Sequence, residues 1–290
     1  MFLGLDVRRL PFQGSLTSQE DALASGEPMK NTKTSNRALV TAVLAACLFA
    51  ASACKSTHAQ NCTEAEIEAA IQTEAEAEAE TETETEANPT GGKTIKFCGQ
   101  TLAVDATTVR CTDRDVNDIS PLKRLVALRS LMLTGTNVSD LRPLSGLTQL
   151  RRLVLASTHV SDLTPLSPLS ELTTLVISGT RVTNLAPLAK LTNLESLLAA
   201  YLKVSDLSPL ARLTKLDRIN VSFTKVTDVK PLTGLNELAV LSLSGTPVSD
   251  IAPLSALKKL VSLNVQNTKV SNLDLRELHG KLPGCRISEI

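Results

Sequence analysis

The sequence predicts an α/β solenoid, a stack of short similar coils, on three observations. Apolar residues return with a period of 22 residues between residues 116 and 269, and self-similarity at a period of about 20 to 50 residues is typical of solenoids. Within each period leucines recur at steps of three and then of two, which neither one amphipathic helix nor one strand explains. Each period also carries a proline at a fixed position, which an α-helix interior does not accept.

Each coil is predicted to contain one short strand. In the segment Leu150–Leu155, Leu153 and Leu155 are two residues apart and therefore lie on the same side of a strand. One coil buries too little apolar surface to fold by itself, so the coils must stack on one another. Stacking at a constant register brings the strands together as a parallel sheet on one side of the molecule.

The opposite side of each coil is predicted to be a short 3₁₀ turn, because 22 residues leave no room for a full α-helix. An Asp or Asn starts the turn, and its side chain can accept a hydrogen bond from the backbone two residues later. These residues are Asp118, Asp140, Asp162, Asn184, Asp206, Asp228 and Asp250. A threonine also recurs near the end of six coils, at Thr136, Thr158, Thr180, Thr224, Thr246 and Thr268. We assign both rows structural roles and exclude them from any active site.

The template L-x-x-L-x-x-L-x-L-x-x-T, followed by V-x-D-L-x-P-L, resembles the internalin-type or SDS22-like leucine-rich repeat, in which threonine often replaces asparagine. The resemblance covers residues 116–269 as seven units, which begin at Val116, Val138, Val160, Val182, Val204, Val226 and Val248. It implies a leucine-rich repeat horseshoe, with a parallel β-sheet on the concave face and short 3₁₀ turns on the convex face. It also implies that a partner binds on the concave side.

Both ends of the stack need a cap that covers the terminal apolar surface. Residues 93–115 are the predicted N-terminal cap, in which Cys98 and Cys111 are placed to form a disulfide if the compartment is oxidising. Residues 270–290 are the predicted C-terminal cap. They indicate a short helix closed by Gly280, followed by a last strand with Leu282, Cys285 and Ile287 pointing inward.

The N-terminal part of the chain indicates export. Residues 29–54 have a basic start and an uncharged apolar run, which is typical of a secretion signal rather than a membrane span. The end "FAASAC" resembles a bacterial lipobox and makes Cys54 the predicted lipidated residue, with Cys47 as the alternative. Because Lys55 rather than Asp follows that cysteine, the resemblance to bacterial lipoproteins implies the outer membrane. Cleavage without lipidation would instead give a secreted protein, and residues 1–28 are read as an over-extended start.

Residues 55–92 are predicted to be an acidic disordered tether. Ten glutamates lie between Glu64 and Glu86 without a basic residue among them, and charges of one sign at this density keep a chain open and hydrated. Residues 93–290 have the opposite balance, with 24 Lys and Arg against 16 Asp and Glu, a net charge of +8. A basic module favours anionic partners.

The sequence argues against catalysis and against a cofactor or metal. Residues 87–94 fit a relaxed phosphate-loop pattern, but a glutamate tract precedes them where a buried strand is required. The three histidines have no neighbours at metal-ligand spacing. Nucleic acid is also not an expected partner, because no set of aromatic residues accompanies a basic groove.

The candidate binding site is a pair of aromatic residues on the concave face. Tyr201 and Phe223 occupy the same position in consecutive units, where the other units have Gly, Ser or Asn. Unit four is also irregular, with Ala199 in place of leucine and Leu202 in place of threonine, and irregularity in a regular array often marks function. The alternative is that the two rings fill space over a coil made thin by Ala199. The predicted partner-binding residues are Arg152, Val176, Leu198, Tyr201, Arg218, Asn220 and Phe223.

From these observations we expect a lipid-anchored, monomeric leucine-rich repeat protein of the bacterial cell envelope that binds a protein or an anionic glycan without catalysis. Two other functions stay open. One is a passive envelope or adhesive component, and the other is an intracellular SDS22-like regulatory scaffold.

Overall fold

A computed structural model describes residues 93–289 of the 290-residue chain. The predicted start segment, the signal with Cys47 and Cys54, and the whole predicted tether (55–92) lie outside these residues. In the described part, no helix is both long enough and apolar enough to cross a membrane.

The repeats, with one strand from each cap, form a nine-stranded parallel sheet whose strands follow one another in sequence order. The strands are β3 (Thr108–Arg110), β4 (Ser130–Met132), β5 (Arg152–Val154), β6 (Thr174–Val176), β7 (Ser196–Leu198), β8 (Arg218–Asn220), β9 (Val240–Ser242), β10 (Ser262–Asn264) and β11 (Arg286–Ser288). Neighbouring strands within the repeats pair with an offset of 22 residues, so that Leu131 lies beside Leu153 and Leu153 beside Leu175. The side chain at each strand position therefore stacks on its counterpart in the next coil.

A short 3₁₀ turn lies on the other side of each coil, and each has a proline at its first or second position. The turns span Ser120–Arg124, Arg142–Leu144, Thr164–Leu166, Ala186–Lys190, Ser208–Leu210, Lys230–Leu232 and Ala252–Ala256. Strands and turns alternate along the chain, so the molecule is a leucine-rich repeat solenoid, as the sequence predicts.

The main core lies between the sheet and the turns. Its leucine, isoleucine and valine ladders are almost fully buried from Ile119 to Leu263. The predicted Asp and Asn bonds are present in all seven turns, where a side-chain oxygen accepts from the backbone N–H two residues later at 2.8–3.0 Å. In the six coils that have the threonine, its hydroxyl donates to the carbonyl three residues earlier at 2.6–2.8 Å.

The N-terminal cap is a small antiparallel hairpin of β1 (Thr94–Phe97) and β2 (Gln100–Ala103). Ile95 and Phe97 are buried and belong to the main core. The predicted disulfide between Cys98 and Cys111 is confirmed, with the two Cα atoms 5.9 Å apart. It links the hairpin to the first strand of the parallel sheet.

The C-terminal cap differs in detail from the prediction. Helix α1 spans Asn272–Lys281 and therefore continues through Gly280, so the expectation that this glycine closes the helix is wrong. Gly280 does not adopt the left-handed conformation that a closing glycine uses. The helix instead ends when the amide of Leu282 donates to the carbonyl of Leu278. Leu282 and Cys285 are buried as expected, but both precede β11 and only Ile287 lies within it.

Candidate partner-binding surface

The backbone turns out of each repeat strand through one residue in the left-handed conformation. Its φ lies between 53° and 70° in all seven units. These residues are Gly135, Ser157, Gly179, Tyr201, Phe223, Gly245 and Asn267. Glycine adopts this conformation at no steric cost, whereas a residue with a Cβ is strained by roughly 1–2 kcal/mol. Units four and five therefore place their aromatic residues at the position that least tolerates them.

The rings of Tyr201 and Phe223 stack face to face. Their centroids are 4.7 Å apart and their planes differ by 5°. The other face of Phe223 lies against Gly245, because a Cβ added to that glycine would be 2.5 Å from Cδ1 of Phe223. The two rings and the Gly245 backbone thus form one continuous run across three coils.

Beneath Tyr201 lies a second apolar cluster that is separate from the main core. It consists of Met132, Val154, Ala156, Val176 and Leu198, and Tyr201 packs against it. These residues lie on the outer side of the sheet, since they alternate along the strands with the inward leucines. The cluster supports the Tyr201 ring from the side of the earlier coils.

The outer side of the sheet becomes polar after the fourth unit, where Leu198 is followed by Asn220 and Ser242 in the same column. The carboxamide oxygen of Asn220 accepts from the amide of Ser222 at 2.9 Å. The hydroxyls of Ser222 and Ser242 are hydrogen-bonded to each other at 2.7 Å. The aromatic pair therefore lies at a boundary between an apolar and a polar half of the sheet surface.

The seven predicted partner-binding residues lie on or beside four consecutive strands, β5 to β8, but they are not equally exposed. Tyr201 and Phe223 are half-buried, whereas the other five are buried: Arg152, Val176, Leu198, Arg218 and Asn220. Four charged residues beside these strands, Arg129, Arg151, Glu195 and Asp217, are exposed. Direct contact by the buried five would require a change in their surroundings, while the two rings already reach the surface. The binding role of all seven stays a prediction.

The irregular coil is filled from within. Ala199 and Leu202 are both buried members of the main core, so Leu202 supplies apolar volume where Ala199 supplies little. Tyr201 is not part of that core and lies on the other side of the sheet.

One feature of the surface was missed at the sequence level. The aromatic residues were identified, but their left-handed backbone was not. The signal was present in the column itself, since glycine, asparagine and serine elsewhere in it are residue types that favour or tolerate a positive φ.

A cleft of about 700 Å³ also lies at the C-terminal end, between α1 and β11, and Leu275, Arg276, His279 and Cys285 contribute to its lining. Burial raises the pKa of the Cys285 thiol to about 11. The thiol is therefore protonated at neutral pH, and a protonated thiol is a poor nucleophile. This agrees with the predicted inward position of Cys285. Among residues 93–289, no cluster of side chains is suited to hold a metal ion.

The architecture is similar to that of known leucine-rich repeat structures. Internalin C2 from Listeria monocytogenes is 26% identical with a TM-score of 0.62, over 66% of this chain and 86% of that one. An internalin (inlF) from the same organism is 28% identical with a TM-score of 0.59, over 63% of this chain and 56% of that one. A leucine-rich repeat protein from Leptospira interrogans shares the fold at 18% identity, with a TM-score of 0.52 over 61% of this chain and 53% of that one.

No family model matches the chain, and no curated protein matches it. The match to inlF spans just over half of that protein's length. The likeness to the two internalins supports a protein-interaction module.

Proposed function

We propose that this protein is a non-catalytic binding module of the bacterial cell envelope, and that it contacts a protein partner on the sheet side of its repeats. The contact is centred on Tyr201 and Phe223, with the exposed residues Arg151, Glu195 and Asp217 as a polar rim. Large aromatic side chains at a surface are frequent anchors of protein interfaces. An anionic glycan is the second class of partner.

The observation that carries the proposal is the strained position of the aromatic pair. Each ring sits on a left-handed residue, at a cost of roughly 1–2 kcal/mol, whereas a stacked pair contributes about 0.5–1.5 kcal/mol beyond its buried area. Stacking therefore offsets only part of the strain. Glycine is the simpler residue here, and three other units use it. Strain that folding does not require often marks a functional site.

The space-filling alternative receives less support from the contacts. It requires the rings to compensate for the small Ala199 side chain, but Leu202 lies in the same core as Ala199. Tyr201 instead packs on the outer cluster, which Ala199 does not belong to.

The proposed location is outside the cytoplasm. The disulfide between Cys98 and Cys111 supports export, because disulfides persist in oxidising compartments and are rare in the cytosol. In this proposal residues 29–54 are the signal, Cys54 carries the lipid (with Cys47 as the alternative), and residues 55–92 hold the repeats away from an outer membrane. A secreted form without lipid, a passive envelope component and an intracellular regulator remain the competing functions.

The experiment places a photo-crosslinking phenylalanine analogue at Phe223, where it preserves an aromatic ring, and identifies adducts from intact cells by mass spectrometry. A matched control carries the analogue at Val126, an exposed apolar residue of the first unit. We expect one protein that crosslinks at Phe223, does not crosslink at Val126, and is lost when Tyr201→Gly is added. The captured protein is then purified and its binding measured directly. The same adducts at both positions, or adducts indifferent to Tyr201, would contradict the proposal.

A further inference from the structure

A row of cationic side chains lies beside the aromatic pair, at the same edge of the sheet. Two residues after each left-handed residue, the row reads Asn137, His159, Arg181, Lys203, Lys225, Pro247 and Lys269. Arg181, Lys203 and Lys225 occupy three consecutive coils and are exposed. Backbone hydrogen bonds join consecutive coils at this edge, for example from the Arg181 amide to the Val160 carbonyl and from the Lys225 amide to the Val204 carbonyl, both at 2.8 Å. The backbones of neighbouring cationic residues are therefore about 5 Å apart.

We call these three side chains the cation ridge. Within residues 93–289, Arg181, Lys203 and Lys225 take part in no hydrogen bond or ion pair through their side chains. Like charges side by side in neighbouring coils repel and destabilise the stack. An uncompensated row of one sign is typical of a surface that receives a ligand of the opposite sign.

The neighbouring columns restrict what that ligand can be. On one side of the cation ridge stands the aromatic pair, and on the other an exposed row of hydroxyls at Thr183, Ser205 and Thr227. In two of the units the residue after the hydroxyl is an aspartate, Asp206 or Asp228. Each of these carboxylates accepts a backbone hydrogen bond at 2.8 Å. An anionic ligand is therefore confined to the strip between the rings and the hydroxyls.

The same geometry argues against two other polyanions. Single-stranded nucleic acid binds by stacking its bases on aromatic faces, but Phe223 lies between the Tyr201 ring and Gly245, and Tyr201 packs against the outer cluster. In an extended acidic peptide, side chains on one face are roughly 6.6 Å apart, which is wider than the spacing of the coils. A chain of sugar rings presents anionic groups with hydroxyls between them, and so matches both the cation row and the hydroxyl row.

We propose that the cation ridge binds a linear anionic polysaccharide, whose carboxylate or sulfate groups pair with Arg181, Lys203 and Lys225. The hydroxyl row hydrogen-bonds to the sugar, and the exposed edges of Tyr201 and Phe223 border it. This surface adjoins the one proposed for a protein partner and does not depend on that partner.

The test measures binding of the purified full chain to heparin, to polygalacturonate and to neutral dextran across a salt series. The ridge variant carries Arg181→Gln, Lys203→Gln and Lys225→Gln. The matched control carries Arg212→Gln, Lys190→Gln and Lys230→Gln, which removes the same charge from exposed residues on the turn side of units four to six. Equal urea midpoints for the two variants establish that both fold.

We expect the ridge variant to bind at least one of the two anionic polysaccharides tenfold or more weakly than wild type, and the control to stay within about threefold. The slope of log K against log salt should fall by about 2 to 3, since each neutralised anionic group contributes roughly 0.7–0.9 to the slope on nucleic acids. If both variants bind equally weakly, net charge alone determines the affinity, and the proposal is overturned. Failure of both polysaccharides to bind, or tighter binding of poly-glutamate, would also overturn it. Crosslinking at Phe223 is read separately, so either proposal can fail without the other.

Discussion

The inner and outer sides of the same sheet follow different rules. On the inner side, each strand position stays aliphatic from coil to coil, and the side chains are buried to the last few per cent. On the outer side, the columns change character along the stack, from Val176 and Leu198 to Asn220 and Ser242, and two aromatic residues stand where glycine fits best. Repetition on the inner side is what stacking requires. In the core, the exchange at Ala199 and Leu202 keeps the coil apolar. On the outer side whole columns change character, and this is where we place partner contact.

The largest expected effect of a single substitution is on the inner side. Leu175 is fully buried between the equivalent leucines of two neighbouring coils. Leu175→Ala should lower the free energy of unfolding by about 2–5 kcal/mol, because it removes buried apolar area and leaves a cavity in a ladder that cannot close around it. Urea unfolding followed by circular dichroism measures the loss. A loss below about 1 kcal/mol would mean that the coils do not stack as tightly as the burial indicates.

The second prediction concerns the irregular coil. Leu202→Thr restores the regular residue but removes the side chain that compensates for Ala199, so we expect a loss of about 1–3 kcal/mol. Adding Ala199→Leu should recover most of it, since the pair then matches the other units. Urea midpoints of the two single variants and the double variant complete the cycle. Additive losses in the double variant would contradict the account of Leu202 as compensation.

The third prediction separates backbone strain from contact with the aromatic pair. Gly245→Ala and Gly135→Ala both place a Cβ on a left-handed residue, but only the one at position 245 meets the Phe223 ring. We expect Gly245→Ala to cost about 1–2 kcal/mol more than Gly135→Ala, which is a typical penalty for overpacking. Near-ultraviolet circular dichroism of Tyr201 should change only in the Gly245 variant. Equal costs and unchanged spectra would place the Phe223 ring elsewhere.

The smallest predicted effect is a pH dependence from the turn carboxylates. Hydrogen bonds from Thr164 lower the pKa of Asp162 below its ordinary value of 3.8, and hydrogen bonds from Ser208 do the same for Asp206. A carboxylate with a lowered folded-state pKa adds stability above pH 4 and loses it as the pH falls through that pKa.

Asn184 fills the same role without a charge, since its carboxamide oxygen accepts from the Ala186 amide at 2.8 Å. The variant with both Asp162→Asn and Asp206→Asn should therefore lose less stability than wild type between pH 7 and pH 3. Urea midpoints at the two pH values measure this loss. An identical pH dependence in both proteins would show that these carboxylates do not contribute.

Much of the fold could be predicted because the period of 22 residues fixes the register of every strand at once. The Asp bonds and the disulfide followed from residue type and position. The end of α1 was not predictable in the same way, since Gly280 is tolerated inside a helix that still gains the bond from Leu282 to Leu278. The columns of the outer surface could also be assigned from alternation along the strands. Alternation did not predict two features of that surface. One is that Arg152 and Arg218 are buried, and the other is the left-handed backbone of Tyr201 and Phe223.

The most direct test of the central claim is the unfolding free energy of the variant with both Tyr201→Gly and Phe223→Gly. Glycine relieves the left-handed strain at both positions while the stack and the contact with the outer cluster are lost. If the rings exist for binding, the variant should unfold within about 1–2 kcal/mol of wild type, and crosslinking from a neighbouring position such as Glu195 should be lost. A destabilisation of about 4 kcal/mol or more would contradict the account and make the aromatic pair a structural part of the stack.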